Sequence, residues 1–294
     1  MIFFMSSTST RIVVVGANGF VGKNLRNFLS ENKLDVLGIS RKNFRKHPSE
    51  IKIISTNFSD PKLQSKLKNY DALIHLIGIG RQTPKSTFKE INLNLTKDVI
   101  KMCKNVGIKK IIFISGLGVS KNNTSDYFAS KYKAEQEIIN SGLDYTIFRA
   151  SYIIGKTDHL TKALSKQIKS GLIVIPGSGK YRLQPIFVAD VAKIILEAVL
   201  EKKFSKKILD LVGPQKINFE DFVKLFVQNT GVKIEKISIE DAYDEAKRNA
   251  KAVYGLESLN ILAGDYTSDG KQLQKLSNVK LTTVRDFLQA SSLS

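Results

Sequence analysis

The sequence predicts an α/β fold built on a doubly wound parallel sheet, followed by a smaller, mostly helical C-terminal lobe. Three observations predict it. Strand-like and helix-like segments alternate from residue 11 to about residue 150, the pattern that wraps a parallel sheet with helices on both faces. The apolar run RIVVV at 11–15 ends in a glycine-punctuated turn, GANGFVG at 16–22, with an amphipathic segment after it. Beyond Arg149 the alternation loosens into turn-rich and amphipathic stretches such as PGSGKYR at 176–182 and FEDFVKLF at 219–226.

Taken in order, strands are expected at 11–15, 35–40, 51–55, 71–77, 110–115 and 144–149. Helices are expected at 20–32, 62–68, 86–106 and 128–141, joined by right-handed crossovers. A helix near 158–169, a helix at 189–201, a strand near 207–212 and then mostly helical segments complete the chain. The expected organisation is a flexible extension over 1–10, a Rossmann-like dinucleotide-binding domain over 11–155 and a substrate-side lobe over 156–294, from which about 185–213 return to the first domain. Such sheets bind ligands at the carboxyl ends of their strands.

The first turn carries a dinucleotide signal. Gly16 permits the tight turn, Gly19 lets the backbone approach a pyrophosphate, and Gly22 lets the helix with Phe20, Val21, Leu25 and Phe28 pack closely on the sheet. The spacing is G-x-x-G-x-x-G, and Asn18 lies within it. At the end of the second strand an NAD site would carry an acidic residue for the ribose 2′-hydroxyl. This chain has Ser40, Arg41 and Lys42 there, and Asp35 lies at the opposite end of the strand. A guanidinium grips a 2′-phosphate bidentately, so Arg41 favours NADP(H), with NAD(H) as the alternative.

A second signal is Tyr127-Phe128-Ala129-Ser130-Lys131. On a helix, positions i and i+4 share a face, so the Lys131 ammonium is expected near the Tyr127 phenol, where a cation would favour the phenolate. Ser115, at the end of the strand FIS, can hold a substrate oxygen opposite Tyr127. Together the three form a proton-transfer set.

Other residues read as structural or secondary. His75 ends an apolar strand and reads as a core residue, His47 and His159 have no metal-spaced partners, and no metal is expected. Asp190 reads as a cap or first-turn acid. In PGSGKYRLQP, a tight hairpin and an anion-wrapping loop are equally open readings; Lys180, Arg182 and Gln184 are the candidate substrate contacts.

Composition is that of a globular protein, with 294 residues, 42% of them hydrophobic and 25% charged. Forty-six Lys and Arg against 27 Asp and Glu give a formal charge of +19, which attracts anionic partners. These cations are spread through helices and loops with few interleaved aromatics, a pattern that argues against a nucleic-acid surface and leaves docking to an acidic protein or an anionic membrane surface. The single cysteine, Cys103, excludes a disulfide framework and fits a reducing compartment. No run reaches the ~18 apolar residues of a membrane span. MIFFM is too short for a signal peptide. The expectation is a cytoplasmic protein, or one peripheral to the inner face of a membrane, with no oligomeric state specified.

GANGFVG, HLIGIG (75–80), INLNLT (91–96), FISGLGVS (113–120), YFASKYKAEQ (127–136), FRASYIIG (148–155) and RLQPIFVADVAK (182–193) together resemble the extended and atypical short-chain dehydrogenases/reductases. That branch includes nucleotide-sugar epimerases and the nucleotide-binding accessory subunits of respiratory complex I, to which the chain is most similar. The resemblance covers about 11–215. It implies a pyrophosphate loop at Gly16, Gly19 and Gly22, a 2′-phosphate contact at Arg41, strand-end contacts at Leu76 and Gly78, and a polar relay of Asn92, Ser115, Tyr127 and Lys131. The backbone of Ser151, Tyr152 and Ile153 would lie near the nicotinamide. Asn57 stands where many relatives have an aspartate, and Ala150 where proline is common. Two functions follow: an NADP(H)-dependent oxidoreductase or epimerase/dehydratase-like enzyme acting on a small molecule, and a non-catalytic NADPH-holding accessory subunit of a larger assembly.

Overall fold

Seven parallel strands form the main sheet of the computed structural model, which describes residues 10–228, 230–249, 252–262 and 264–291. The flexible extension expected at 1–10 falls almost wholly outside the described residues. In chain order the first half comprises β1 (Arg11–Val15), α1 (Phe20–Glu31), β2 (Asp35–Ser40), β3 (Ile51–Ile54), α2 (Pro61–Lys66), β4 (Ala72–His75), α3 (Leu95–Val106), β5 (Lys110–Gly116), α4 (Asp126–Ile139) and β6 (Asp144–Ala150). Next come β7 (Ile153–Ile154), α5 (His159–Lys169), β8 (Leu172–Pro176), β9 (Arg182–Leu183), β10 (Ile186–Phe187), α6 (Val188–Leu200) and β11 (Lys207–Leu211). The strand order is β11-β6-β5-β4-β1-β2-β3. It reverses beside β1, so the crevice between β1 and β4 is the topological switch point where such sheets take ligands.

Alternation along each strand sorts the core into two layers. Ile12, Val14, Ile74, Ile112 and Phe148 face α1 and α6, whereas Val13, Val15, Leu73, Ile111, Phe113 and Ile147 face α2, α3 and α4. That two-residue period is what a sheet covered on both faces requires. Helix ends are set locally: the Asp60 carboxylate accepts from the Lys62 N–H ahead of α2, with Pro61 at its first position, and Gly107 ends α3 in the left-handed region at φ 82°.

The rest of the chain adds β12 (Ile217–Asn218), α7 (Phe219–Phe226), β13 (Lys233–Ile237), α8 (Ile239–Arg248), α9 (Leu256–Leu262), α10 (Lys271–Leu276) and α11 (Val284–Ser291). Its core joins Leu164 of α5, Ile173 and Ile175 of β8, Phe219, Phe222 and Val223 of α7, and Phe287 of α11.

Two features differ from the sequence expectation. The second lobe contains a parallel pair, β8 with β13, and short pairs β7–β10 and β9–β12. These strands are two to five residues long, too short to give a periodic signal. The helix expected at 86–106 begins instead as one wide π-type turn at Lys89–Asn94 and becomes α-helical at Leu95. Asp190 does lie in the first turn of α6, but its carboxylate accepts from the Thr282 N–H at 2.6 Å, fastening the C-terminal segment to the sheet layer. Among the described residues no helix is long and apolar enough to cross a membrane.

Candidate functional site

The glycine turn closes on β2 and β4. Both the Gly16 and Ala17 N–H groups donate to Ile39 O, at 3.0 and 3.1 Å, and Gly19 N–H donates to Gly16 O at 3.0 Å. Gly16 has φ +91°, which strains any side chain. A Cβ on Gly22 would stand 2.3 Å from Gly16 O, so only glycine lets α1 approach this closely. No side chain caps the start of α1, and its first turn holds no acid; the helix end keeps open N–H donors and a favourable dipole for an anion. The Asn18 amide donates to Asn43 O at 3.4 Å. Phe20 packs against Gly155, and Val21 against the core layer under α1.

Beyond β2 the chain runs to β3 without a helix. This stretch is fixed by an ion pair that sequence reading missed. Arg26 and Glu50 are 2% and 3% exposed, and Arg26 also donates to Ala17 O at 3.0 Å and Arg45 O at 2.8 Å. Its guanidinium lies 4.3 Å from the Phe44 ring centroid, and Glu50 accepts the His47 N–H at 3.0 Å. The result is a shaped wall: a cavity of about 510 Å³ between α1 and this stretch, with Asn18, Lys23, Arg45, Lys46 and His47 among its lining. Ser40 is buried, its hydroxyl accepting from the Lys42 N–H at 3.3 Å, and Arg41 is exposed directly after it. The run RKNFRKH at 41–47 was the available signal for Arg45 and Lys46.

Across the switch point lie the candidate proton-transfer residues. Lys131 is buried; its ammonium donates to Ile114 O at 2.9 Å and sits 4.5 Å from the Phe113 ring centroid. Asn92 accepts the Ile79 N–H at 2.9 Å and donates to Ile79 O and to Ser130 Oγ; Ser130 in turn donates to Tyr127 O. A Cβ on Gly78 would stand 3.2 Å from Lys131 Nζ, and one on Gly116 would stand 3.4 Å from the Tyr127 phenol oxygen. Bare backbone therefore faces both groups. The hydroxyl of buried Ser115 has no hydrogen-bond partner among the described residues, nor do Ser151 Oγ or His75 Nδ1. These three orphaned atoms lie at or just beyond the carboxyl ends of β5, β6 and β4. Unsatisfied buried polar atoms are rare and concentrate where ligands are handled.

Electrostatics here follow burial. Burial pulls the Lys131 ammonium down to about 8, opposed by Glu135, and pushes the Tyr127 phenol up to about 12. The expected lowering of the phenol by Lys131 is not what this geometry gives, because the ammonium is turned to Ile114 O and the Phe113 ring while apolar neighbours desolvate the phenol. Those neighbours are Phe88 and Phe128, at 5.7 and 5.0 Å between ring centroids, with Tyr266 beyond at 5.2 Å from Phe128. Tyr266 lies so close over Gly118 that a Cβ there would be 2.5 Å from its ring. Burial lowers His75 to about 3, with Lys131 adding to the effect, while its Nε2 meets Thr96 Oγ1 at 2.9 Å. Burial also raises the Cys103 thiol to about 12, as suits an inert core residue.

The remaining expected cofactor contacts occupy strand ends. Leu76 N–H donates to Val15 O, Ser151 N–H to Leu211 O, and Tyr152 O accepts from Ile186 N–H. Ile153 opens β7. Burial raises the Tyr152 phenol, with Tyr127 among the groups adding to it.

The three candidate substrate contacts differ in their surroundings. Arg182 is engaged by Asp265, which accepts its N–H at 2.6 Å and its guanidinium at 2.8 Å. Gln184 is buried and bridges Gly213 O to the Ser268 N–H. Lys180 is exposed after a turn in which Gly177 and Gly179 have φ of +65° and +69°. Pairing within the protein, invisible at short sequence range, engages Arg182 and Gln184.

A family model described as the NAD dependent epimerase/dehydratase family matches residues 12–211. The chain is 28% identical over 215 residues to NADH dehydrogenase (ubiquinone) 1 alpha subcomplex subunit 9, mitochondrial, of Arabidopsis thaliana, covering 68% of this chain and 53% of that protein. It thus spans about half the length of that relative. Over 222 residues it is 25% identical to a putative UDP-glucose 4-epimerase of Methanocaldococcus jannaschii, covering 64% of this chain and 73% of that one. The fold matches a UDP-glucuronic acid 4-epimerase from Bacillus cereus, solved with UDP-glucuronic acid and NAD, at a TM-score of 0.76 and 18% identity over 95% or more of both chains. With two thirds of its length matched by the family model, glycine turn and β5–α4 segment included, the chain belongs to the NAD-dependent epimerase/dehydratase family.

Proposed function

We propose that this protein binds NADP(H) across the carboxyl ends of its strands and uses Ser115, Tyr127 and Lys131 for proton transfer in an oxidoreductase or epimerase/dehydratase-like reaction on a small alcohol or carbonyl compound. The observation that carries the reading is the convergence of an orphaned serine hydroxyl, a desolvated phenol and a buried ammonium on the same sheet edge as the open glycine turn.

The turn from Gly16 to Gly22 and the uncapped start of α1 would hold the pyrophosphate. Arg41, with Ser40 and the neighbouring Arg45 and Lys46, would take the 2′-phosphate; Leu76, Gly78, Asn92 and the backbone of Ser151, Tyr152 and Ile153 would border the nucleoside and nicotinamide ends. When bound, the nicotinamide supplies a hydride donor or acceptor. Ser115 Oγ, free of internal partners, donates a hydrogen bond to the substrate oxygen. A phenol raised to about 12 is protonated at neutral pH, so Tyr127 gives its proton to a carbonyl oxygen in the reductive direction and recovers it in the reverse. Lys131, cationic at pH 7 with its value near 8, would stabilise the phenolate left behind and, with the cofactor bound, would donate to the nicotinamide ribose.

A second reading draws on the plant relative's name, that of a complex I subunit, and on the Lys131 ammonium being held by Ile114 O. In it the same pocket retains NADPH without turnover, and the protein docks on a larger assembly. Two substitutions separate the readings. In the catalytic one Tyr127→Phe lowers kcat by about 100- to 10,000-fold with NADPH affinity nearly unchanged, while Lys131→Met harms both. Turnover that survives Tyr127→Phe contradicts proton transfer by Tyr127. NADPH that stays bound through gel filtration and is oxidised by none of a panel of carbonyls, quinones and nucleotide sugars supports the accessory reading.

A further inference from the structure

Strands β5, β6 and β11 place Ser115, Arg149 and Asp210 on one rung, each the register partner of the next. Such partners point to the same face of a parallel sheet, and here α4 covers that face. From α4 come Lys131 and Glu135, one helical turn apart. Both are buried, and Glu135 has no exposure at all. Its carboxylate is gripped on both oxygens: Arg149 Nε donates to one at 3.2 Å and Nη2 to the other at 2.7 Å. Arg149 keeps 26% of its side chain exposed and lines a cavity of about 270 Å³ with Asp210 and Ser268, whose hydroxyl donates to Asp210 at 2.7 Å. Charges of alternating sign, Lys131, Glu135, Arg149 and Asp210, thus run in a row from the candidate site to the outermost strand.

A buried ion pair of this kind can serve simply as a staple, here between α4 and β6. The surroundings of Lys131 give the carboxylate a second task. Lys131 makes no ion pair among the described residues; its ammonium meets Ile114 O and the Phe113 ring. The other groups around it carry no charge to offer: His75 of β4 is neutral at pH 7, Tyr127 is protonated and Asn92 presents an amide, while Lys97 of α3 and Glu137 of α4 pair with each other at an exposed site. Glu135 is the acid that acts on Lys131: burial draws the ammonium down to about 8, and Glu135 opposes that fall. Arg149 does not cancel the effect, because its charge lies toward solvent and Asp210, where it is screened, whereas the carboxylate lies wholly inside. The field that the pair exerts on Lys131 is therefore that of the carboxylate.

We propose that Glu135 is a positioning residue of the candidate site, its buried carboxylate supplying the counter-charge for the Lys131 ammonium across one turn of α4. The use of that ammonium beside Tyr127 and the cofactor rests on the function proposed above; the test reads Lys131 itself. The full chain, carrying isotope-labelled lysine, is titrated by NMR, and the resonance missing from Lys131→Met is that of Lys131. In the parent it titrates near 8, well below the ~10.4 of exposed lysines. Glu135→Gln lowers this midpoint by about one pH unit or more, and Glu135→Asp, which keeps the charge, restores most of it. The double variant Glu135→Gln with Arg149→Met strands no charge and so keeps its fold where the single variant does not; its Lys131 midpoint stays low, whereas a staple role predicts a return to the parent value. NADPH affinity measured from pH 6 to pH 9 is the second readout, falling through the same midpoint in each protein. A Lys131 midpoint unchanged in Glu135→Gln or at the parent value in the double variant overturns the proposal, as does a parent in which Lys131 titrates with the exposed lysines. An NADPH affinity that is flat across this range while the resonance shifts as expected supports the counter-charge role and contradicts the nucleotide contact assigned to Lys131.

Discussion

The two sides of the switch point handle buried polar groups in opposite ways. On the β1–β3 side, Arg26 and Glu50 are almost wholly buried and satisfied: one guanidinium serves a carboxylate and two carbonyls, and the carboxylate serves a backbone N–H as well. On the β4–β6 side, His75 Nδ1, Ser115 Oγ and Ser151 Oγ are buried without partners, and Lys131 is pulled down to about 8 by burial. The first side uses polarity to fix a shape. The second leaves polar atoms without partners at the strand ends, where a ligand can return the missing interactions.

The largest effect expected from this contrast is on stability. Arg26→Ala should cost about 3–5 kcal/mol, because it strands a buried carboxylate. The double change Arg26→Met with Glu50→Leu should recover much of that loss, since no charge is then left unpaired. Denaturant unfolding of the three proteins checks this; an Arg26→Ala cost below about 1 kcal/mol would remove the distinction between the two sides.

A smaller effect depends on pH. The folded value of His75, about 3, lies below the unfolded ~6.5, so its neutral form contributes stability that is fully present above pH ~6.5 and is lost as pH falls toward 3. At pH 5 the loss should be about 2 kcal/mol. His75→Phe should lack this component, and unfolding midpoints of parent and variant measured from pH 7 to pH 5 should diverge accordingly. Parallel curves would show that His75 is not held neutral.

Ser115→Ala should change stability least, by less than about 1 kcal/mol and toward greater stability, because it removes a buried hydroxyl with nothing to bond. A thermal scan reads this directly. A clear loss of stability would mean that Ser115 is bonded within the protein.

Much of this contrast was legible in the sequence, though unevenly. The glycine spacing and the apolar run from Ile12 to Val15 are local signals, and both place the glycine turn at the end of β1, where the structure has it. Tyr127 and Lys131 were legible as a pair four residues apart on a helix, but the direction of the phenol's shift was not, because it depends on Phe88 and Phe128 packing around the ring. Arg26 and Glu50 are 24 positions apart and Arg182 and Asp265 are 83 apart; no periodicity links such residues, so neither pairing was legible and Arg182 read as a candidate substrate contact. The short strands β7 to β10 were missed for the same reason, being held by partners distant in sequence.

The central claim is that the glycine turn and the cations after β2 form one NADP(H) site, and parallel titrations of NADPH and NADH at fixed salt test it most directly. NADPH should bind more tightly, and Arg41→Asp should narrow or invert that preference by removing a phosphate partner and adding a repelling charge. Equal affinities for the two nucleotides in the parent protein would contradict the claim.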